Sequence, residues 1–334
     1  MKTLLVTLGP TDPWRSSVWM RHANVDAEVR VENPAPLGRR CGSRALGLGI
    51  DALCVSVKAR LLCRSRSTLL LAENPWIAIG LRCVGFRNVV TIGLYSTPDN
   101  RNWHILRLFL GRTLVIVHLD KERQAWVQAG GQAESVLFGN TFRYPVVKRE
   151  WLAPRIFVGG TSDRDHTVLD QLVTEVQQDS DNVELVIADG TGPRKWVGEK
   201  STVVWLPVLA PEDFGRELSE STVTFMPLSN RLERSAGQMV AIGSLECGVP
   251  VVTTASPGLG GYVDGSYIRT AGYGAILPQL RAAAALEEAK REDVRRYWRT
   301  HYCLESYAKR VHAAVARHSV RGGLPLIRIP AANS

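Results

Sequence analysis

A polar loop, a short helix and a buried strand follow one another between Ser235 and Val252, and this order constrains the fold most strongly. Ser235 and Gly237 stand at the predicted helix start, where unpaired backbone N–H groups and the positive end of the helix dipole favour an anion. Gly248 is placed to end the helix, and the run after it is typical of a fully buried strand. The segment predicts either a site for a phosphorylated ligand or an ordinary helix–strand unit with a glycine at each end.

A glycine-containing loop lies upstream, after the strand-like run 156–158. Gly159 and Gly160 are followed by Arg164 and Asp165, and then by apolar residues at helical spacing. Further strand-like runs occupy 183–188, 203–208 and 223–228, and a helix-like run occupies 210–221. Strands that alternate with short helices predict a parallel, doubly wound sheet, whose ligands gather at the carboxyl ends of the strands. Both loops open at that edge.

The first half of the chain predicts a second domain of the same architecture. Strand-like runs at 2–8, 68–73, 89–94 and 113–118 alternate with amphipathic runs such as 100–110 and 121–130. A chain of 334 residues is long enough for two domains of about 150 residues each. We therefore predict an α/β protein with two Rossmann-like, doubly wound domains facing a central cleft, joined by a linker near 144–154.

The C-terminal half resembles the donor-binding domain of GT-B glycosyltransferases, most nearly those related to family 4. The resemblance rests on the glycine loop with its Arg-Asp pair, the VTFMPL run, the SAGQ helix start with its CGVPVVTT ending, and the stretch 297–315. It implies transfer of a sugar from a nucleotide diphosphate sugar to a glycan, a lipid-linked molecule or a natural product, without a metal ion. It also implies a C-terminal helix that crosses back to the N-terminal domain.

These expectations divide the chain into three parts. Residues 1–148 form the acceptor-binding domain, residues 149–295 form the donor-binding domain, and residues 296–334 hold the returning helix and a tail. The nucleotide sugar is a co-substrate, and no cofactor is expected.

One feature of the family pattern is missing. Family 4 enzymes carry two glutamates eight positions apart, the second of which binds the donor ribose, and Ser235 and Gly243 occupy those places here. Glu233 and Glu246 are nearby, and we interpret both as solvated surface charges. Backbone groups or Gln238 are therefore expected to take over ribose recognition.

Arginines are the candidates for neutralising the departing diphosphate, because GT-B enzymes use a cationic side chain and helix-terminal N–H groups for this task. The resemblance places Arg164 first, as a catalytic residue, and Arg231 and Arg234 are its rivals. The predicted donor site comprises Gly159, Gly160, Arg231, Arg234, Ser235, Gly237 and Gln238.

Asp12, in the loop after the first strand, is the first candidate for a catalytic base, which an inverting transferase needs and a retaining one does not. The flanking prolines also fit a simple turn. Glu73, His104 and His118 are alternatives, and a packed, hydrogen-bonded role is the other interpretation of His118. The candidate acceptor platform consists of Trp14, Asn74 and Trp76, which could instead pack between the domains.

The formal net charge is +9, and seven basic residues stand against one acidic residue between Arg39 and Arg66. An anionic membrane, a polyanion and mere solubility are the competing explanations. Nucleic acid is the weakest partner, since no zinc-finger spacing, RNP-like signature or basic zipper is present. We expect no nucleic-acid partner and allow peripheral contact with an anionic membrane.

The cysteines and the apolar runs predict a cytoplasmic protein. The six cysteines show neither a CxxC pair nor metal-ligand spacing, which favours reduced thiols and no metal site. Neither a signal peptide nor an apolar run near 18 residues is visible.

Two other functions compete with glycosyl transfer. A nucleotide-sugar epimerase shares the fold but usually carries several cleft carboxylates and histidines. A nucleotide-sugar or polyanion binding protein without catalytic activity is suggested by the missing glutamate pair.

Overall fold

The computed structural model describes residues 2–10, 12–31, 44–63, 65, 67–145, 153–272, 274–285 and 288–320. The chain forms two compact units, one from Met1–Leu137 with Leu304–Ser334 and the other from Phe138–Cys303. The linker predicted near 144–154 falls mostly outside the described residues, as do four members of the basic cluster: Arg39, Arg40, Arg64 and Arg66.

The first unit is an alternation of strands and helices. Its elements are β1 (Thr3–Leu8), α1 (Pro13–His22), β2 (Ala27–Val31), α2 (Arg44–Leu62), β3 (Leu69–Ala72), α3 (Pro75–Cys83), β4 (Val89–Ile92), α4 (Arg101–Leu110), β5 (Leu114–Val117), α5 (Asp120–Gln128), β6 (Gln132–Ser135) and α11 (Leu304–Val320). The strands pair in the order β2-β1-β3-β4-β5-β6, and every pair is parallel.

The central strands of this sheet are short and wholly apolar. β3 is Leu-Leu-Leu-Ala, β5 is Leu-Val-Ile-Val, and every residue of both is buried. Continuous apolar runs of this kind mark strands that are covered on both faces. α11 packs against α1, where the Trp19 and Tyr307 rings meet edge to face with centroids 5.9 Å apart. The Arg310 guanidinium also donates to the Leu137 carbonyl oxygen over 3.0 Å.

The second unit repeats this architecture. Its elements are β7 (Arg155–Gly159), α6 (His166–Gln178), β8 (Glu184–Ala188), β9 (Arg194–Val197), β10 (Thr202–Trp205), α7 (Pro211–Ser219), β11 (Val223–Met226), α8 (Gln238–Glu246), β12 (Val251–Thr253), β13 (Ile268–Thr270), α9 (Leu277–Ala284) and α10 (Glu288–His301). The strand order is β13-β12-β11-β7-β8-β10-β9, and only β9 runs antiparallel to its neighbour. The prediction of an α/β fold with two doubly wound parallel sheets is confirmed.

The strand order of each unit contains one topological switch point. In the first unit the chain leaves β1 for β2 on one side and then crosses to β3 on the other. In the second unit it leaves β7 for β8 and later returns to place β11 against the opposite side of β7. Loops that follow the two strands at such a point diverge and leave a crevice at the carboxyl edge, where open α/β sheets bind ligands.

Candidate donor and acceptor sites

The switch point of the second unit lies between the two loops that the sequence singled out. β7 ends at Gly159 and leads into the glycine loop, and β11 ends at Met226 and leads into the polar loop before α8. The two strands are direct parallel neighbours. The structure therefore brings both predicted phosphate-binding segments to one crevice.

Backbone hydrogen bonds lock these two loops together. The Asp165 N–H donates to the Pro227 carbonyl oxygen over 2.7 Å, and the Ser229 N–H donates to the Asp163 carbonyl oxygen over 3.1 Å. The Arg234 guanidinium adds a side-chain link, with Nη2 lying 2.8 and 2.7 Å from the two carboxylate oxygens of Asp163. These contacts fix the position of the glycine loop relative to the polar loop.

The start of α8 presents backbone N–H groups to the crevice. Gly237 is its N-cap residue, with a φ of 79° that favours glycine, and no described side chain caps this end. A Cβ built on Gly160 would lie 3.6 Å from the Val240 side chain, so the glycine loop passes beside the first turn of α8. An anion between them would meet the N–H groups and positive dipole end of α8.

The three candidate arginines differ in how they are engaged. Arg164 donates from Nε to the Gly159 carbonyl oxygen over 3.2 Å and from Nη1 to the Ser162 carbonyl oxygen over 3.1 Å. Burial lowers the pKa of Arg164 to about 10, so its guanidinium stays charged at neutral pH. Arg231 is exposed and has no ion-pair partner among the described residues. Arg231 is therefore the most available cation, whereas Arg164 and Arg234 also support the loops.

Gln238, at the first turn of α8, has a buried side chain. Its Nε2 donates to the Gly258 carbonyl oxygen over 2.7 Å, and the Ala236 N–H reaches the same oxygen over 3.1 Å. These bonds fasten the segment after β12 beneath the helix start. The structure thus gives Gln238 a supporting role in the walls of the site, and Ser235 lies half-buried beside it.

Glu246 corrects one interpretation made from the sequence. Its side chain is buried, and its carboxylate accepts the Phe142 N–H over 2.8 Å and the Arg143 N–H over 2.6 Å. Burial raises the pKa of Glu246 above its usual range, although these N–H donors oppose the shift. The interpretation of Glu246 as a solvated surface charge is wrong; Glu233 is exposed, as expected.

Three polar residues of the site were not singled out by sequence reasoning. Asp163 has a φ of 62° and pairs with Arg234. Thr254 exchanges hydrogen bonds of 2.6 and 2.8 Å with the backbone of Leu228, and Ser256 donates to the Ser229 carbonyl oxygen over 2.7 Å. The available signal was their position after strand-like runs, at the carboxyl edge of the predicted sheet.

The switch point of the first unit gathers the predicted acceptor residues. Asp12 follows β1 and caps α1, with its carboxylate accepting the Arg15 N–H over 3.1 Å. Asn74 follows β3 and caps α3 by accepting the Trp76 N–H over 2.8 Å. An ion pair between Arg15 and Glu73 joins the two loops. Trp14 is half-buried, and Trp76 packs in part against the core of this unit.

His118 is a packed residue of the first unit. Its ring lies between Tyr95 and Tyr307, with centroid distances of 6.4 and 5.9 Å, and its Nδ1 lies 3.3 Å from the Val136 carbonyl oxygen. Burial lowers the pKa of His118 to about 4, so the imidazole is neutral at pH 7. His104 lies exposed on α4.

Across the described residues, no cluster of three or more His, Cys, Asp or Glu side chains is arranged to hold a metal ion. The helices of the described segments include none with the length and apolar character of a membrane span.

No protein-family model and no curated protein matches this chain. Its fold matches solved GT-B glycosyltransferases over almost the whole length. Sucrose-phosphate synthase from Thermosynechococcus elongatus superposes with a TM-score of 0.65 at 14% identity, over 96% of this chain and 100% of that one. HepE from Anabaena, solved in complex with UDP-glucose, superposes with a TM-score of 0.58 at 13% identity, over 94% of this chain and 99% of that one. A trehalose-6-phosphate synthase superposes with a TM-score of 0.59 at 10% identity, over 95% of this chain and 99% of that one. At sequence identities of 10–14%, the similarity to these solved structures establishes the fold.

Proposed function

We propose that this chain is a glycosyltransferase, related to the family 4 type, that moves a sugar from a nucleotide diphosphate sugar to an acceptor without a metal ion. The observation that carries the proposal is the meeting of the glycine loop and the N-terminus of α8 at the switch point of the second unit. Arg164 lies in the glycine loop, and Arg231 and Arg234 lie in the polar loop that leads to α8.

In this proposal the donor diphosphate lies against the glycine loop and the α8 N-terminus. Gly160 allows close approach of the backbone, since its φ of 97° suits glycine and a side chain there would overlap Arg164. Arg231 reaches the diphosphate from the polar loop, while Arg234 keeps the loop in place through Asp163. The complex of HepE with UDP-glucose makes a uridine donor the first to test.

Arg164 is the proposed catalytic cation. Negative charge grows on the diphosphate as the glycosidic bond breaks, so a guanidinium held beside it stabilises the transition state more than the ground state. Its bonds to the Gly159 and Ser162 carbonyl oxygens preorganise it in the glycine loop. Charge neutralisation by fixed arginines and helix dipoles is the basis for proposing metal independence.

The proposed acceptor site belongs to the first unit. Trp14 and Trp76 supply apolar surface for a sugar or another ring, and Asn74 supplies an amide beside them. Asp12 is the proposed base for the acceptor hydroxyl if transfer inverts the anomeric centre. The acceptor class stays open between a glycan, a lipid-linked molecule and a natural product, and a cytoplasmic location with peripheral membrane contact completes the proposal.

The proposal is tested by incubating the protein with a panel of UDP-, GDP- and dTDP-sugars and a panel of acceptors, in the presence of EDTA. A glycosyltransferase releases the nucleotide and forms a new glycoside. An epimerase changes the sugar without releasing the nucleotide, and a binding protein does neither while still retaining the nucleotide sugar. Either of the last two outcomes would replace our proposal.

A further inference from the structure

A surface on the first unit lies away from the acceptor residues. All strand pairs of this sheet are parallel, so the C-terminal turns of α2, α3 and α4 lie together at its amino edge, each just before the next strand. α3 packs against both α2 and α4. The three turns therefore form a continuous row, at the opposite edge from Asp12 and Asn74.

This row exposes large apolar side chains. Leu61 and Leu62, at the end of α2, are 75% and 67% exposed, and Leu108, near the end of α4, is 80% exposed. Phe109 beside it is also exposed. Large apolar side chains that are exposed on one surface are typical of sites that contact another molecule or a membrane.

The charge of the same row has a single sign. The stretches 58–67, 80–88 and 105–113 contain no aspartate or glutamate. The described arginines within them are Arg60, Arg82, Arg87, Arg107 and Arg112, and none of these forms an ion pair with another described residue. Such a surface attracts anions and repels a basic partner.

A cavity of about 200 Å³ opens between the ends of α2 and α3, lined by Arg60, Gly85, Phe86 and Arg87. The Arg60 guanidinium lies over the Phe86 ring, 5.4 Å from its centroid, and the Arg82 Nη1 donates to the Arg87 carbonyl oxygen over 3.3 Å. Two arginines at the wall of one cavity suit a phosphate group.

We propose that this amino-edge surface docks onto an anionic lipid bilayer. It comprises Leu61, Leu62, Leu108, Phe109 and the five arginines named above. The apolar side chains enter the boundary of the acyl chains while the arginines bind phosphate headgroups, as on an interfacial helix face. The combination favours a bilayer because phosphate headgroups lying over acyl chains match a surface that carries both arginines and exposed large apolar side chains. Docking by this edge leaves the carboxyl edge of the sheet open to an acceptor.

The amino-edge surface would make the membrane contact that is part of the proposed function, and this inference depends on no other part of that proposal. Vesicle flotation of the full chain without nucleotide or acceptor tests it, so its failure would leave the transfer proposal standing. The vesicles are phosphatidylcholine alone or phosphatidylcholine mixed with phosphatidylglycerol. The test variants are Leu61→Gln with Leu62→Gln, and Arg60→Gln with Arg87→Gln. The controls are Val197→Gln, an exposed apolar residue of the second unit, and Arg101→Gln, at the other end of α4.

We expect binding to the anionic vesicles that weakens at high salt. Each arginine near such a surface contributes about a factor of 5, so the double arginine variant should bind about 25-fold more weakly. The double leucine variant should lose at least about 10-fold, and both controls should bind like the parent. Absence of anionic-vesicle binding, or equal binding by the parent and both double variants, would overturn the proposal. Self-association of the parent that the leucine variant abolishes, without vesicle binding, would assign the surface to a second copy of the chain.

Discussion

Arg164 combines two tasks in the proposed donor site, and its contacts make the consequences of replacing it specific. Its guanidinium holds the glycine loop through the Gly159 and Ser162 carbonyl oxygens and supplies positive charge at the switch point. Replacing it by lysine keeps a charge but loses the planar fork that can serve two carbonyl oxygens at once.

Arg164→Ala should lower turnover by about 10²- to 10³-fold, the usual cost of losing one preorganised donor to a developing charge. Donor affinity should fall much less, because the diphosphate gains its extra charge only as the bond breaks. Arg164→Lys should recover part of the rate. Steady-state kinetics with the accepted donor measures both quantities. If Arg164→Ala kept the turnover of the parent while Arg231→Ala lost most of it, the catalytic role would belong to the polar loop.

His118 makes the stability of the first unit depend on pH. Its pKa is about 4 in the folded state, lowered by burial from 6.5, so the unfolded chain binds an additional proton between these values. The His118 contribution to the free energy of unfolding is therefore fully present above pH 6.5. As the pH falls through that window, the protein loses up to about 3 kcal/mol of this free energy. Urea denaturation at pH 7 and pH 5 should therefore show a smaller loss for His118→Gln than for the parent. Equal losses would show that His118 does not titrate on unfolding.

Helix α8 depends on the glycine before it. A Cβ on Gly237 would overlap the Met226 methyl group, and its φ of 79° is strained for any other residue. Gly237→Ala should therefore destabilise the protein by about 1–3 kcal/mol even without a ligand. Consequently a lost nucleotide affinity in a Gly237 variant would not by itself locate the phosphates.

Gly192→Ala is the matched control, because Gly192 also has a positive φ, 99°, but nothing within 4 Å of its added Cβ. Denaturant unfolding should show a larger loss for Gly237→Ala than for Gly192→Ala, and the difference measures the clash with Met226. Equal losses would leave backbone strain as the whole effect.

Much of the fold was predictable because its central strands are continuous apolar runs separated by amphipathic helices. β9 and β6 do not have such apolar runs and could not be predicted in this way. β9 is Arg-Lys-Trp-Val at an edge of its sheet, β6 is Gln-Ala-Glu-Ser, and neither strand contains a fully buried residue. The convergence of the two loops in the second unit was predictable from parallel topology alone. The pairing of Asp163 with Arg234 and the burial of Glu246 were not, because both arise from contacts between residues far apart in the chain.

Each unit places its candidate residues at its own switch point, and neither set includes an assembled metal site among the described residues. Because fixed arginines and the α8 dipole would neutralise the leaving group, transfer should proceed at the same rate with and without EDTA. Initial rates with the accepted donor measure this. Activity that chelation abolishes and magnesium or manganese restores would contradict it.

The donor site at the switch point of the second unit can be tested by hydrogen–deuterium exchange of the intact protein with and without a saturating nucleoside diphosphate, UDP first and then GDP and dTDP. Bound nucleotide should slow exchange in two segments, the glycine loop at 159–165 and the polar loop with the first turn of α8 at 229–241. Protection of only one segment, protection confined to other parts of the chain, or no protection by any of the three nucleotides would contradict a donor site at this switch point.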